Sequence, residues 1–406
     1  MKFPLLFSLL SLLALHCSQP TLQQAAARVQ RPDAAPQTDS LRLGAERTEI
    51  YLPALLEAEG VALVVNQTST IDSTHLVDSL LALGVQVKTI FAPEHGFRGQ
   101  ADAGESVADG KDTRTGLPII SLYGSNKKPR PEQLDSIDIV VFDIQDVGAR
   151  FYTYISTLHY VMEACNEQDK FLIVLDRPNP NGHYVDGPVL DTAYRSFVGM
   201  HPVPVVHGMT VGEYAQMING EGWISPKLEM GVVPCAGYGH QTAYELPVKP
   251  SPNLPNMRSI YLYPSLCFFE GTVVSVGRGT DSQFQVYGHP DAQIGAHTFV
   301  PTPMPGAKYP KHKGATCRGF SLVHLPADSI RARARIDLEP LIEFYQAFPE
   351  QDSFFLPNYF FDLLAGSGQL RKQVIAGQSA EAIRESWQED LEAFRQMRKP
   401  YLLYEE

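Results

Sequence analysis

Five short apolar runs, nearly continuous and rich in β-branched residues, constrain this chain more than anything else in it. They are Val61-Ala62-Leu63-Val64-Val65, Val85 to Phe91, Pro118 to Leu122, Ile137 to Ile144 and Phe171 to Leu175. A strand with one face in water alternates apolar and polar residues, whereas a run apolar at almost every position must be covered on both faces. Stretches with helical spacing accompany them, at Glu46 to Glu59, Ser73 to Leu83 and Tyr154 to Gln168. Strands separated by helices are the signature of parallel pairing through crossovers. The pattern predicts an α/β fold: a Rossmann-like, doubly wound parallel sheet over residues 46–225. Residues 226–406 are less regular. Pro and Gly are dense from Pro234 to Pro310, one strand-like segment falls at Thr272 to Val276, and helices are predicted at Glu339 to Phe348 and Ala380 to Arg398. This half reads as a second, smaller α+β domain, and 406 residues suffice for two cores.

The N-terminus carries a targeting signal. Lys2 precedes an apolar stretch from Pro4 to Leu15 that is too short to span a bilayer, as in the core of a signal peptide. Cys17 closes it in the manner of a lipoprotein cleavage site, with His16 where that site prefers a small residue. Residues 1–17 are therefore expected to be a lipoprotein-type signal, and residues 18–45, rich in Gln, Ala, Pro and Arg, a flexible tether. The expected location is outside the inner membrane, in the periplasm, on a lipid anchor at Cys17; an ordinary secretory cut nearby is the alternative.

Several chemistries are disfavoured. A net charge of -12 with no basic stripe argues against nucleic acid. No G-x-G-x-x-G follows the first predicted strand and no G-x-x-x-x-G-K-[ST] occurs, so no dinucleotide or NTP cofactor is signalled. A G-x-S-x-G elbow is absent too. Cys165, Cys235, Cys267 and Cys317 form no C-x-x-C pair, and His95, His159, His207, His240 and His289 show no H-E-x-x-H spacing, so no metal site is expected. Export permits a disulfide, and buried free thiols fit the apolar surroundings of Cys165 and Cys267 equally well.

Ligands of open parallel sheets bind beyond the carboxyl ends of the strands. Four predicted strand ends carry polar clusters: Asn66-Gln67; Ala92-Pro93-Glu94-His95-Gly96-Phe97-Arg98; Asp143-Ile144-Gln145-Asp146 through Arg150; and Asp176-Arg177-Pro178-Asn179. Glu94 is the leading candidate for acid catalysis. Glycoside hydrolysis needs a carboxylic acid at the leaving oxygen, and usually a second carboxylate. Such an acid is favoured by apolar surroundings, which Phe91 and Phe97 offer. The plain structural alternative is a pair with Arg98 or a helix cap. Asp143 and Asp146 are candidate partner carboxylates, although Asp146 is also placed to cap a helix starting near Tyr152. Asp176 and Arg177 are expected to bridge each other. Glu270, among aromatic residues in Phe268-Phe269-Glu270-Gly271-Thr272, is a lone carboxylate whose burial would signal function. Arg98, Arg150 and Arg278 are candidates to clamp a substrate carboxylate with a planar guanidinium. His95 and His207 are read as hydrogen-bonding groups at the cleft, with Asn66 and Gln145 beside them, and His159 and His240 as structural.

These motifs together resemble a known family. Phe91 to Arg98, Phe142-Asp-Ile-Gln-Asp-Val-Gly-Ala-Arg-Phe-Tyr152, Asp176 to Pro180, Gly277-Arg-Gly-Thr280 and the final Lys399-Pro-Tyr-Leu-Leu-Tyr404 are similar, in the same order, to those of the NamZ-type exo-β-N-acetylmuramidases. The likeness runs from about residue 45 to 404. It implies an exo-acting glycoside hydrolase that releases N-acetylmuramic acid from the non-reducing ends of MurNAc-GlcNAc fragments of peptidoglycan during cell-wall recycling. It also implies an active site between the two domains and Glu94 as the acid. The lactyl carboxylate of muramic acid would then explain the arginines. The 2-acetamido group opens a substrate-assisted route, in which the Asp143–Asp146 loop would hold the amide. Two rivals remain: a non-catalytic muropeptide-binding lipoprotein, and a metal-dependent hydrolase using His95 with the aspartates.

Overall fold

The computed structural model describes Val29, residues 40–97 and residues 109–406. The expected signal peptide, Cys17 and Arg98 lie outside the described residues.

The apolar runs form strands β1 (Val61–Val65), β2 (Val87–Ala92), β3 (Pro118–Ser121), β4 (Ile139–Asp143) and β5 (Phe171–Leu175), joined by β6 (Met230–Val233). They pair in the spatial order 3-2-1-4-5-6, every neighbouring pair parallel, and a two-residue strand at Gly110–Lys111 extends the β3 edge antiparallel. This is the doubly wound order, with its switch point between β1 and β4. Why the runs carry no polar alternation is visible in the packing. Val61, Leu63 and Val65, with Ile139, Val141, Ile173 and Leu175, enter a core on one face, covered by α1 (Thr48–Glu57) and α2 (Leu76–Ala82). Ala62 and Val64, with Val140, Phe142, Leu172 and Val174, enter the core on the other, under α3 (Tyr154–Glu167) and α4 (Val211–Gly220). Because successive side chains point to opposite faces, two buried faces require both sets to be apolar.

The sheet extends beyond residue 225, since β6 pairs with β5 along Leu172–Leu175. Its short Met230-Gly231-Val232-Val233 segment carries too little periodicity to be seen in the sequence. Residues 40–45 also depart from the expected tether. Arg42 bridges Ala236, and Leu43, Gly44 and Ala45 are buried, with Gly44 donating to the Asp176 carbonyl at 2.9 Å.

The second half begins with α5 (Met257–Leu266), capped by Asn256, and a 3-10 turn at Cys267–Gly271. A three-stranded antiparallel sheet follows, with β9 (Cys317–Ser321) between β7 (Val286–His289) and β8 (His297–Phe299). Thr272 to Val276 makes only isolated bridges, to Phe355 and Gly288. The predicted helix at Ala380 to Arg398 is two, Ala380–Glu385 and Gln388–Arg398, meeting at the buried Trp387. The halves share one apolar core: Phe151, after β4, packs edge-on to Tyr263 and Phe268 at 5.3 and 5.9 Å. The C-terminal segment returns to the first half, where Tyr404 donates to Asp176 (2.6 Å) and the Leu403 N–H to Glu213 (2.8 Å).

Candidate active site

A cleft of about 380 Å³ lies where the halves meet. From the first come Glu94 and His95 after β2, Tyr123 and Lys127 after β3, and Phe151 to Tyr154 after β4. The second contributes Tyr263, Glu270, Arg278 and Phe284. Small-molecule sites favour such junctions of apolar wall and few polar groups.

Glu94 is presented by a tight turn in which the Gly96 N–H donates to the Pro93 carbonyl at 2.9 Å. His95 occupies the third position with φ of 71°, the left-handed conformation that this turn type needs and that a side chain rarely adopts. The Glu94 side chain is 9% exposed, and one oxygen accepts a 2.6 Å bond from Thr153 Oγ1 just ahead of α3. His95 Nε2 lies 3.4 Å from Ser251 Oγ, which ties the turn to the segment entering the second half.

Across the cleft, Glu270 is bound by Arg278, whose Nε is 2.9 Å from Oε2. Burial alone pushes the Glu270 carboxyl up, but the charges of Arg278 and Lys311 outweigh it and hold the group below the ordinary glutamate range. Lys311 also donates to the carbonyls of Phe269, Glu270 and Thr272, fixing the turn that carries Glu270.

The remaining candidates among the described residues do not line this cleft. Asp143 forms a buried two-point pair with Arg177 (2.5 and 2.9 Å), so Arg177 bridges Asp143 rather than Asp176. Asp176 instead accepts from Thr210 Oγ1 and the Gly212 N–H at the start of α4. Asn66 accepts from the Thr68 N–H and hydroxyl and donates to Tyr154 Oη. Gln145 donates to the Asp146 and Pro178 carbonyls. These side chains fill the switch point between β1 and β4. Arg150, fully buried, donates to the carbonyls of Pro188, Val203 and Leu364, and burial pulls its pKa down to about 9. Its fork holds backbone together and does not line the cleft. His207 is buried against Tyr214, and burial, then Arg398 and Arg150, push its pKa down to about 3. His240 pairs with Glu213 at 3.0 Å, and His159 with His201 at 3.0 Å.

Asp146 is a separate case. It does not cap α3, which starts at Tyr154; its Oδ2 accepts from the Gly148 N–H at 2.6 Å and its Oδ1 is buried without a partner. Gly148 has φ of 76°, and a Cβ there would strike the Asn179 amide, so the loop shape is fixed. Burial pushes the Asp146 carboxyl up to about 7, against the two backbone N–H groups that favour its charge. A carboxyl raised in the fold binds more protons there than in the unfolded chain, so it stabilises at low pH and that benefit is lost as pH rises towards 7. From 3.8 to about 7 the loss is on the order of 4 kcal/mol. Asp146→Asn, which keeps an acceptor for Gly148, is expected to be more stable than wild type at pH 8 by a margin that shrinks towards pH 4. Urea unfolding at both pH values checks this; an offset independent of pH would contradict it.

Sequence reasoning missed Lys127, Tyr123, Phe197 and Thr153. The third strand end, Tyr123-Gly124-Ser125-Asn126-Lys127, carries no carboxylate or histidine, and its position at the carboxyl edge of the sheet is the available signal. Among the described residues no group of three or more His, Cys, Asp or Glu side chains is placed to hold a metal ion.

An α/β half and a smaller half with an antiparallel sheet meet at an aromatic-walled cleft that carries Glu94 and Glu270, the kind of junction at which enzymes of this architecture take small molecules. Comparison narrows the class. Residues 61–258 match the family described as exo-β-N-acetylmuramidase NamZ, N-terminal, and residues 261–404 its C-terminal counterpart. The chain is 40% identical over 342 residues to the peptidoglycan β-N-acetylmuramidase NamZ of Bacillus subtilis, covering 79% of this chain and 80% of that protein. Two crystal structures of DUF1343 family proteins from Bacteroides fragilis are also similar. One gives a TM-score of 0.83 at 47% identity over 90% of this chain and 99% of that one, the other 0.77 at 28% identity over 91% and 100%. The chain belongs to the NamZ family of exo-β-N-acetylmuramidases.

Proposed function

We propose that this protein is an exo-acting glycosidase that releases N-acetylmuramic acid from the non-reducing ends of peptidoglycan fragments, with Glu94 as general acid. The observation that carries the reading is a carboxyl side chain held at 2.6 Å by Thr153, in a cleft sized for a small molecule rather than a polymer groove. Glu94 gives its proton to the glycosidic oxygen as the C1–O bond breaks; water then supplies the hydroxyl at C1, and the proton it releases returns Glu94 to the acid form. Glu270, kept anionic by Arg278 and Lys311, stands on the other wall as the second carboxylate of the cleft. Aromatic side chains provide flat faces for the pyranose ring and exclude water around the acid.

The test is turnover of an aryl β-N-acetylmuramide beside the matching N-acetylglucosaminide, with and without a chelator. The muramide is expected to be cleaved preferentially, and chelator to leave the rate unchanged. Equal or reversed preference would remove muramic acid as the substrate, and loss of activity with chelator would favour a metal-dependent mechanism.

A further inference from the structure

We propose that Lys127 is the residue that recognises the ionised lactyl carboxylate of the sugar, and so separates N-acetylmuramic acid from N-acetylglucosamine. This rests on the glycosidase reading above, since those two sugars differ only in the 3-O-lactyl group. An enzyme that prefers the first must meet one added negative charge with a positive one.

The cations near the cleft differ in what they already hold. Arg150 is consumed by three carbonyls behind it. Arg278 lines the cleft, but its guanidinium is held on the Glu270 carboxylate through Nε and Nη2, both at 2.9 Å. Lys127 also lines the cleft, and among the described residues it has no carboxylate partner. Its Nζ sits 4.7 Å from the centroid of the Phe197 ring, an attraction that positions an ammonium without neutralising it.

Its neighbour shows the contrast. Lys128 turns away from the cleft and binds Glu163 and Glu167 on α3, at 3.4 and 2.6 Å. One of two consecutive lysines is thus spent on the scaffold while the other keeps its charge for the cleft. The loop between them and β3 is held in place: Asn126 donates to the Ser121 carbonyl at 2.8 Å, and Phe197 packs edge-on to Tyr123 and stacks on Tyr160. In a chain of net charge -12, a cation that no carboxylate among the described residues pairs, at a cleft that also holds two glutamates, is placed for an anionic ligand.

The experiment compares an aryl N-acetylmuramide as free acid with its lactyl methyl ester, which removes the charge and adds only a methyl group. Wild type is expected to show a lower KM for the acid. Lys127→Met is expected to raise the KM for the acid by about 10- to 100-fold, the worth of a charge-assisted contact, and so to abolish the preference for acid over ester. Lys127→Arg should recover part of the preference, and both variants should melt with wild type because the side chain is only half-buried. A Lys127→Met enzyme that keeps the wild-type acid-to-ester ratio would overturn the assignment. So would a wild type that treats acid and ester alike. Failure of wild type to cleave either compound would instead remove the glycosidase reading itself.

Discussion

Glu94→Gln is expected to lower kcat on an unactivated muramyl disaccharide by about 10²- to 10⁴-fold, the usual worth of a positioned general acid. The substitution removes the proton that the leaving oxygen needs and little else. Glutamine has the same length and retains an oxygen to accept from Thr153 Oγ1. KM and the melting temperature should therefore stay close to wild type. Steady-state kinetics with a parallel thermal melt checks this. A kcat near wild type would assign the acid to another group, and a collapse of the melting temperature would show Glu94 to be structural.

The second large effect concerns stability. Arg177→Met is expected to cost about 3–5 kcal/mol, because it leaves the fully buried Asp143 carboxylate without its two-point partner. Both side chains sit at the ends of central strands, and Arg177 also donates to the Thr70 carbonyl at 3.1 Å, so the loss falls where the first-half loops meet. Replacing both members, as Arg177→Met with Asp143→Leu, should return much of the stability, since the uncompensated charge is then gone. Urea midpoints for the single and double variants decide the matter. Equal losses in both would mean that packing, and not the buried charge, sets the cost. This pair also bears on mechanism: a loss of activity in Asp143 variants that follows their loss of stability is explained by the scaffold.

The first half was legible because its constraint is repetitive. Parallel strands covered on both faces leave runs such as Val61 to Val65 and Phe171 to Leu175 that few other arrangements accommodate, and their strand ends point to one edge. The place of Glu94 on the cleft followed from its position after β2. What the sequence could not convey was the allocation of charges. Arg150 and Arg278 are the same residue type, each near a motif rich in glycine, but one is enclosed by carbonyls from distant segments and the other meets Glu270 eight residues away. Asp143, the last residue of β4, and Asp146 stand three apart, yet one is paired and the other is left with a buried oxygen unpartnered. Partners that lie tens of residues away, such as Val203 for Arg150 and Arg177 for Asp143, are fixed by the crossover topology and leave no local trace. The second half was poorly legible for a related reason. Its sheet is short and its order β7-β9-β8 joins strands through long irregular loops, so neither period was sustained.

Leaving-group dependence tests the central claim most directly. Aryl N-acetylmuramides with phenols of graded acidity can be cleaved by wild type and Glu94→Gln side by side. If Glu94 delivers the proton, the variant loses most activity on the poorest leaving group and progressively less as the phenolate becomes able to depart unaided. A uniform loss across the series would contradict the account, because a residue that does not protonate the leaving oxygen has no reason to distinguish among them.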